Sequence, residues 1–365
     1  MGRNVRIAFI GAGNVNFGGG EGPWDHASRL EKIGGVEVVG VADVDLARAK
    51  ARLAGRRNAI YSRARPYADY RVMLSEQKPE AVWIGVPPEA HGMAQAGKDI
   101  ELCCARAGVH MFIEKPLSSA RPEEVRPVAD ALAASGLVVS VGYMFRYSQA
   151  IETMRGILEQ TPGGAKAFVA RYNCAYSQIR KAEWWDVRKS GGPIVEQATH
   201  FVDLSRCFCG EADLGTVRAV RILGAEAAGA MLDVPRARDG RPCDAGVPPE
   251  FRGPRSTAAV WKFANGAVGS LTHSTWLHGK KYHTSLEVWG DGLCLALDDP
   301  YGRPRLSVRR PHSDDTEEML FDDDPYLAEN VAFLEAVRRR DAAPIRSLYH
   351  DAFRTYELTW AITDA

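Results

Sequence analysis

Short apolar runs alternate with helix-like segments over the first 142 residues. The apolar runs lack polar alternation, which is typical of strands buried on both faces of a parallel sheet. They cover residues 5–10, 36–42, 81–86, 109–113 and 137–141. The segments with helical character cover residues 45–54, 91–107 and 122–134. This strand–helix repetition predicts a doubly wound α/β domain over residues 1–142.

Longer runs with polar alternation follow from residue 143. They cover residues 167–172, 217–223, 257–263, 267–273 and 284–290. Such alternation predicts a large, mainly antiparallel sheet with one covered and one exposed face, and Asn265-Gly266 indicates a hairpin within it. Residues 229–256 read as a long loop, and helices are expected over 325–339 and 348–363. We therefore predict a second α/β domain over 143–365, whose last helices are candidates to pack back on the first.

The composition of the chain mainly argues against certain classes of partner and binding site. The 46 basic residues balance 46 acidic ones, and no run of five basic residues occurs, so we expect neither nucleic acid nor a membrane as partner. The seven cysteines include no CxxC pair, which disfavours a disulfide framework or a metal site. No stretch approaches the roughly 20 apolar residues of a membrane span. The chain enters a strand directly after its N-terminus, so we expect a cytoplasmic location.

A nucleotide signature follows the first strand. Gly11-Ala12-Gly13 offers a tight turn and a bare backbone that a pyrophosphate can approach at a helix N-terminus. Asp43 closes the second strand, where its carboxylate would accept hydrogen bonds from ribose hydroxyls and repel a 2′-phosphate. No basic residue follows Asp43 until Arg48. The cofactor predicted is therefore NAD rather than NADP.

The signature departs from the usual fingerprint in two ways. Asn16 stands at the third glycine position, and Asp43 lies thirty residues beyond Gly13 instead of about 20. An insertion over residues 17–23, rich in glycine, accounts for both, with Pro23 in a first helical turn. The predicted cofactor-binding residues here are Gly11, Gly13, Asn14, Val15, Asn16 and Asp43.

Several motifs in a fixed order resemble the Gfo/Idh/MocA family (glucose-fructose oxidoreductase, inositol dehydrogenase and relatives) along nearly the whole chain. They are Gly11-Ala12-Gly13, Asp43, the segment 85–91, Glu114-Lys115-Pro116, the segment 142–146 and the segment 190–203. The resemblance implies an NAD(P)-binding Rossmann domain. It also implies a substrate-binding domain whose open sheet forms a homodimer or homotetramer.

The resemblance also assigns roles to individual residues. It implies that Lys115 lies beside the nicotinamide and that Val86, Pro87, His91 and Glu114 line the cofactor. In many members a GGxxxDxxxH segment supplies an Asp and a His to the same pocket. Glu196 and His200 stand at those two positions here, so the carboxylate arm is one methylene longer.

The residues themselves indicate an acid–base pair. Lys115 ends a predicted buried strand at the sheet edge where doubly wound folds bind ligands, and partial burial would ease proton exchange with a carbinol oxygen. Glu196, His200 and Asp203 have the spacing of one helical face, on which a carboxylate fixes the imidazole tautomer. We therefore predict Lys115, His200 and Glu196 as catalytic, with a cis bond before Pro116. The chemistry expected is hydride transfer between the nicotinamide and a CH–OH group.

The substrate is less well specified. Trp184 and Trp185 are candidates to stack on a sugar ring. Further candidates by position are Arg146, Tyr176, Asp203, His273, Trp276, His278 and Tyr282. A sugar, cyclic polyol or glycoside is expected, and no metal. Two alternatives remain: a redox-neutral enzyme that retains NAD for glycoside cleavage or epimerisation, and a non-catalytic dinucleotide-binding sensor.

Overall fold

The structure, a computed structural model, describes residues 4–19, 25–223, 226, 235–237, 239–279 and 281–365. The chain divides into two units. The first comprises Met1–Tyr147 and Asp324–Phe353, and the second comprises Ser148–Asp323 and Arg354–Ala365. Within the described ranges, no helix is long and apolar enough to cross a membrane.

Parallel strands form the sheet of the first unit. They are β1 Val5–Ile10, β2 Val36–Ala42, β3 Arg65–Tyr67, β4 Ala81–Ile84, β5 His110–Ile113 and β6 Val139–Val141. Their order is β3-β2-β1-β4-β5-β6, the doubly wound order in which ligands bind at the carboxyl ends of the strands. The apolar runs form the central strands because both faces of this sheet are covered; Ile7, Phe9 and Trp83, for example, are fully buried.

The second sheet is mixed and mainly antiparallel. Its strands are β7 Ala167–Ala175, β8 Ala212–Ile222, β9 Ser256–Phe263, β10 Val268–Leu277, β11 Tyr282–Trp289, β12 Cys294–Asp298, β13 Arg305–Arg309 and β14 Thr316–Leu320. The order is β14-β13-β12-β11-β7-β10-β9-β8, and only β7 and β10 pair in parallel. Burial alternates along β9 residue by residue, as expected for a sheet with one covered face.

Several of the helices begin at an aspartate that caps them. In chain order they are α1 Asn14–Phe17, α2 His26–Ile33, α3 Leu46–Ala54, α4 Tyr70–Gln77, α5 Ile100–Arg106, α6 Pro122–Ala134, α7 Gln149–Glu159, α8 Val187–Ser190, α9 Thr199–Cys209, α10 Pro325–Arg339 and α11 Tyr349–Asp364. Asp25, Asp45 and Asp324 each accept a backbone amide at the first turn of α2, α3 and α10, which satisfies donors that the helix leaves free.

The predicted fold class is confirmed, with corrections at several elements. The helix predicted over 91–107 is wrong in its first part: α5 begins only at Ile100, because Gly92 and Gly97 turn the chain with φ of 80° and 88°. The Asn265-Gly266 hairpin is confirmed, with Gly266 at φ 88° between β9 and β10. The elements α4, α7, α8, β3 and β12–β14 were not predicted.

Parts of two predicted loops lie outside the described residues. In the insertion over 17–23 only residues 17–19 are described, so the expectation for Pro23 falls outside. In the loop predicted over 229–256, residues 229–234 and 238 fall outside. The remainder holds an isolated bridge between Arg236 and Pro242 and a short helical turn at Pro249–Phe251.

Candidate active site

Gly11 ends β1 in a turn that requires glycine. Its φ is 95°, and a Cβ there would lie 2.3 Å from the carbonyl oxygen of Gly85. A Cβ on Gly13 would meet nothing closer than 3.8 Å. Asn16 is fully buried, and its Nδ2 donates to the carbonyl of Gly11 at 2.7 Å. Asn16 therefore braces the turn from inside, at the position of the third glycine, and the bare backbone fits the approach of a pyrophosphate.

Asp43 closes β2 beside this turn. One carboxylate oxygen accepts the backbone amide of Ala12 at 2.7 Å and the other accepts that of Asp45 at 2.8 Å. The side chain is only 6% exposed. This holds the acid at the carboxyl end of β2, where a dinucleotide fold places its ribose acceptor.

A row of arginines follows on α3 and just beyond it. Arg48 approaches the Asp43 carboxylate at 3.7 Å, Arg52 donates to the carbonyl of Ala12 at 3.2 Å, and Arg56 donates to that of Phe17 at 2.8 Å. Arg52 also donates to the side chain of Asn14 at 2.9 Å. The glycine turn is therefore flanked by positive charge. Arg48 is half-exposed next to Asp43, where it is available to a 2′-phosphate. The lack of a basic residue closer to Asp43 in the sequence therefore does not exclude NADP.

The segment after β4 holds its shape through a buried hydrogen bond. Val86-Pro87 leads into a short helical turn at Pro88–Ala90. His91 follows, 2% exposed, with Nδ1 2.5 Å from the Glu101 carboxylate, which also accepts the amide of Gly92 at 3.1 Å. His91 is thus occupied inside the first unit, where it fixes the loop that carries Val86 and Pro87.

Lys115 lies two residues beyond the end of β5. It is partly buried, and its peptide bond with Pro116 is cis, as expected. Glu114, one residue earlier, accepts a hydrogen bond from Nε2 of His26 in α2 at 2.9 Å. The structure therefore places Lys115 at the carboxyl edge of the Rossmann-type sheet, next to an anchored carboxylate.

His200 lies at the start of α9, after a π-helical turn at Ile194–Ala198. Glu196 falls within that turn, so the regular helical spacing expected between Glu196 and His200 does not hold. Gly191 and Gly192, with φ of 76° and 92°, turn the chain into this segment. π-helical turns are rare in proteins overall, but those that do occur are often found at functional sites.

The paired tryptophans form a buried cluster that holds Glu196. Trp184 donates from Nε1 to Glu196 Oε2 at 2.9 Å, and Trp185 donates to the carbonyl of Ile179 at 3.0 Å. The two side chains are 7% and 4% exposed, and they pack with Tyr176 and Cys243. Trp184 is therefore placed to orient the carboxylate, and neither indole presents an open face for stacking.

Asp203 and Arg146 are both occupied within their own units. Asp203 is 1% exposed and accepts from Thr355 at 2.9 Å. Arg146 donates to the carbonyl of Arg346 at 2.6 Å and pairs with Asp351 at 2.5 Å. These contacts join segments that are distant in sequence, which is a structural use of both side chains.

A group of three tyrosines lies next to His200 in the second unit and meets it through Tyr301. The His200 ring lies 6.2 Å from that of Tyr301, nearly perpendicular to it. Tyr301 stacks on Tyr282 at 4.7 Å and meets Tyr172 at 5.8 Å. Sequence reasoning named Tyr282 only as one candidate among several, and it missed Tyr172 and Tyr301. Tyr301 lies three residues beyond β12, a strand that was not predicted.

A second histidine is buried behind Glu196. His273 Nε2 donates to Gln197 Oε1 at 3.0 Å, because an amide oxygen can only accept, and Cys174 reaches the same oxygen at 3.3 Å. Burial lowers the pKa of His273 to about 3, so this imidazole is neutral. His273 is a structural partner of Gln197 with no charge to offer at neutral pH.

An arginine sandwiched by aromatic rings completes this region. The Arg255 guanidinium lies 4.8 Å from the ring centroid of Tyr176 and 4.3 Å from that of Trp276. It donates to Thr275 at 2.8 Å. His278 lies 6.0 Å from the ring of Tyr176. These contacts place Tyr176, Trp276 and His278 in one cation–π group.

Comparisons with known proteins agree with this anatomy. Residues 5–143 match the family model described as the oxidoreductase family with an NAD-binding Rossmann fold, and residues 146–293 match an oxidoreductase C-terminal domain. An uncharacterised protein of Schizosaccharomyces pombe is 38% identical over 99% of this chain and 91% of its own length. The levoglucosan dehydrogenase of Pseudarthrobacter phenanthrenivorans is 27% identical over 70% of this chain and 62% of its own.

Solved structures share the fold at low identity. A 3-ketoreductase from Actinomadura kijaniata, in complex with NADP and TDP-benzene, superposes with a TM-score of 0.72 at 18% identity, covering 99% of this chain and 98% of that one. The WlbA dehydrogenase from Bordetella pertussis, in complex with NADH and UDP-GlcNAcA, gives 0.73 at 18% identity, covering 99% and 96%. At this identity the likeness establishes the fold alone. Together with the family match, it shows that the chain is an oxidoreductase of the Gfo/Idh/MocA family with an NAD(P)-binding Rossmann domain.

Proposed function

We propose that the protein is an NAD-dependent dehydrogenase that oxidises a secondary alcohol of a sugar, cyclic polyol or glycoside to a ketone. The observation that carries the proposal is Lys115 at the carboxyl end of β5, in a chain of this family. Ligands of doubly wound sheets bind at that edge. A lysine there is placed to exchange a proton with a carbinol oxygen.

The residues of the first unit fit a dinucleotide. A Cβ would fill the turn at Gly11, and the Asp43 carboxylate, held by two backbone amides, keeps lone pairs for ribose hydroxyls. Asp43 favours NAD through repulsion of a 2′-phosphate, whereas Arg48 offers that phosphate a partner. We place more weight on Asp43 because it is buried and fixed, whereas Arg48 is half-exposed and its charge is screened.

The proposed chemistry divides between cofactor and chain. Nicotinamide, when bound, accepts the hydride from the carbinol carbon, so that alcohol and NAD give ketone, NADH and one proton. Lys115 holds the substrate hydroxyl and receives its proton as the C–O double bond forms. Within the second unit, His200 remains the predicted acid–base residue, and Glu196, held by Trp184, orients the segment that leads to it.

The proposed substrate class is supported by the names of relatives and by the aromatic side chains near His200. The name of the relative levoglucosan dehydrogenase indicates a sugar substrate, and the WlbA complex contains a UDP-sugar. Tyr282 and Tyr301, which are partly exposed, supply aromatic faces and phenol groups that suit a polyhydroxylated ring. We therefore propose anhydrosugars, inositols and nucleotide sugars as the first compounds to test.

The experiment is a panel of these polyols with NAD and with NADP, followed by the absorbance of the reduced nicotinamide. The proposal predicts reduction with at least one sugar or cyclitol and a higher kcat/KM with NAD. Activity confined to alcohols without a ring of hydroxyls would contradict the substrate class. Protein that purifies with bound NAD, reduces no external NAD and yet converts a glycoside would favour the redox-neutral alternative; nucleotide binding without any conversion would favour a sensor.

A further inference from the structure

Three ionisable side chains meet in the interior of the first unit. They are His26 of α2, Glu114 just beyond β5, and Glu329 of α10, and their ligating atoms all lie within 4.8 Å of one another. Glu114 is the residue that precedes Lys115. We call this group the His26–Glu114–Glu329 cluster; the proposed mechanism uses none of its side chains directly.

Glu329 is the unusual member of the cluster. It is fully buried, and neither carboxylate oxygen has a hydrogen-bond partner among the described residues. Burial raises the pKa of Glu329 well above its usual range, and the negative charges of Glu114 and Asp324 add to the effect. The opposing cation, Arg29 of α2, is engaged by Asp324 at 3.0 Å.

The other titratable groups around Glu329 do not stabilise its ionised form. His26 faces the cluster from α2, and Tyr147, at the end of the turn Met144–Tyr147, has a pKa that is itself raised, first by burial and further by Glu329. An ionised Glu329 would therefore stand beside Glu114 without a counter-charge of its own. Such a group remains protonated at neutral pH.

The other two members are held firmly. His26 Nε2 lies 2.9 Å from Glu114 Oε1, and its Nδ1 lies 3.0 Å from the amide nitrogen of Asn330, the residue after Glu329. The Asn330 amide is oriented by Trp83, which donates to its oxygen at 2.9 Å. A Cβ on Gly142 would lie 2.9 Å from Glu114 Oε1. The Glu114 side chain is thus confined between α2, α10 and the backbone after β6.

One nitrogen and two carboxylates also form a donor set that a transition metal accepts. The geometry favours a proton instead. The 2.9 Å between His26 Nε2 and Glu114 Oε1 is a direct hydrogen bond, whereas two ligands of a tetrahedral zinc, each about 2.0 Å from the ion, stand about 3.3 Å apart.

We propose that Glu329 is a positioning residue that acts as a neutral carboxylic acid. Because Glu329 carries no charge, it does not compete with Glu114 for His26, and the His26–Glu114 pair fixes the backbone that presents Lys115. A charged side chain at position 329 would compete for one member of the pair and let Lys115 move from its productive position. The catalytic part of this inference rests on the proposed function; the protonation state does not.

The first arm of the test needs no substrate. Infrared difference spectra at pH 7 between wild type and Glu329→Gln are expected to show the carbonyl band of one protonated carboxylic acid that the variant lacks. The absence of that band overturns the proposal. So does a stoichiometric metal ion in the wild-type protein that Glu329→Gln loses.

The second arm uses the polyol identified by the cofactor panel. Glu329→Gln, neutral and of the same shape, is expected to keep kcat within twofold. Glu329→Met, which is also neutral and of similar size, is expected to keep kcat within threefold. Glu329→Lys, which places a charge beside Glu114, is expected to lower kcat at least tenfold, with the Kd for NADH within threefold and a melting temperature close to that of wild type. Glu335→Met, at an exposed position of the same helix, serves as the control and is expected to be silent.

Equal activity of Glu329→Lys and wild type would show that a charge at this position does not matter, and would overturn the positioning role. An equal loss in Glu329→Gln and Glu329→Met would overturn it as well, because neutrality would then not be what matters. If the wild-type protein turns over no polyol, the proposed function has failed instead. The infrared experiment then still decides whether Glu329 is protonated.

Discussion

The Asp43 carboxylate ties the end of β2 to the glycine turn through the amide of Ala12. We expect Asp43→Asn to weaken NADH binding about 10- to 100-fold, since hydrogen bonds to a charged group contribute roughly 1.5–3 kcal/mol. The ratio of NADPH to NADH affinity should rise at the same time, because the repulsion of a 2′-phosphate is lost. Fluorescence titration with both nucleotides measures this.

Asp69→Asn is the matched control for that experiment. Asp69 also accepts a backbone amide, at the start of α4, but it lies in an exposed position. Unchanged NADH affinity in Asp43→Asn would remove this residue from the cofactor site.

His273 predicts a dependence of stability on pH. Its pKa is about 3 in the folded chain and 6.5 in the unfolded chain, so only the unfolded state gains a proton between these values. The stabilisation is complete above pH 6.5 and is lost as the pH falls toward 3, by about 1.4 kcal/mol per pH unit. We expect the urea midpoint to fall between pH 7.5 and 5.5, and to fall less in His273→Gln.

His110 contributes with the same sign, because burial also lowers its pKa, so the comparison with His273→Gln is needed to isolate one residue. An identical pH response in the variant would mean that His273 is charged or accessible in the folded protein.

Single residues also show what sequence can predict. Asp43 was found because it directly follows an apolar run, and Lys115 because it comes two residues after one. The chemistry of a strand end is local in sequence. Tyr301 and Glu329 were missed because their roles depend on neighbours far along the chain. Glu329 meets Glu114 only after α10 has packed in the first unit, and no local pattern encodes that contact.

The β9–β10 hairpin depends on the left-handed conformation of Gly266. A Cβ at this position would touch nothing within 4 Å, so the cost of Gly266→Ala is purely conformational, about 1–2 kcal/mol. The matched control is Gly156→Ala inside α7, also without contacts, which should stabilise by up to about 1 kcal/mol. Thermal melts that showed equal effects for both would contradict the assigned turn.

The strands with a long apolar run were predicted, and several shorter elements were not. β1 and β2 agree residue for residue with the apolar runs. β3 spans three residues and includes a proline, and β14 is mostly exposed, so neither shows the pattern of a buried strand. The π-turn before His200 changes the side-chain spacing in a way that the sequence, read as an α-helix, does not reveal.

On the scale of the whole molecule, the open face of the second sheet remains to be explained. Val169, Val260 and Val268 are 44%, 54% and 47% exposed on neighbouring strands. We expect this face to join copies of the chain, as the family resemblance implies. Val260→Lys should then lower the molar mass in solution, measured by light scattering after gel filtration.

Val331→Lys, at a valine of similar exposure in α10, should leave the molar mass unchanged. A wild type that is monomeric at micromolar concentration would contradict the assembly, without bearing on the cofactor site.

The central claim is that Lys115 handles the substrate proton beside a dinucleotide held by the first unit. Its most direct test is the turnover of Lys115→Met on the polyol that wild type oxidises, with NADH affinity measured on the same preparation and Lys98→Met as control. We predict at least a 100-fold lower kcat, as for the loss of an acid–base group, with NADH affinity within threefold. Near-normal turnover by Lys115→Met would contradict the mechanism.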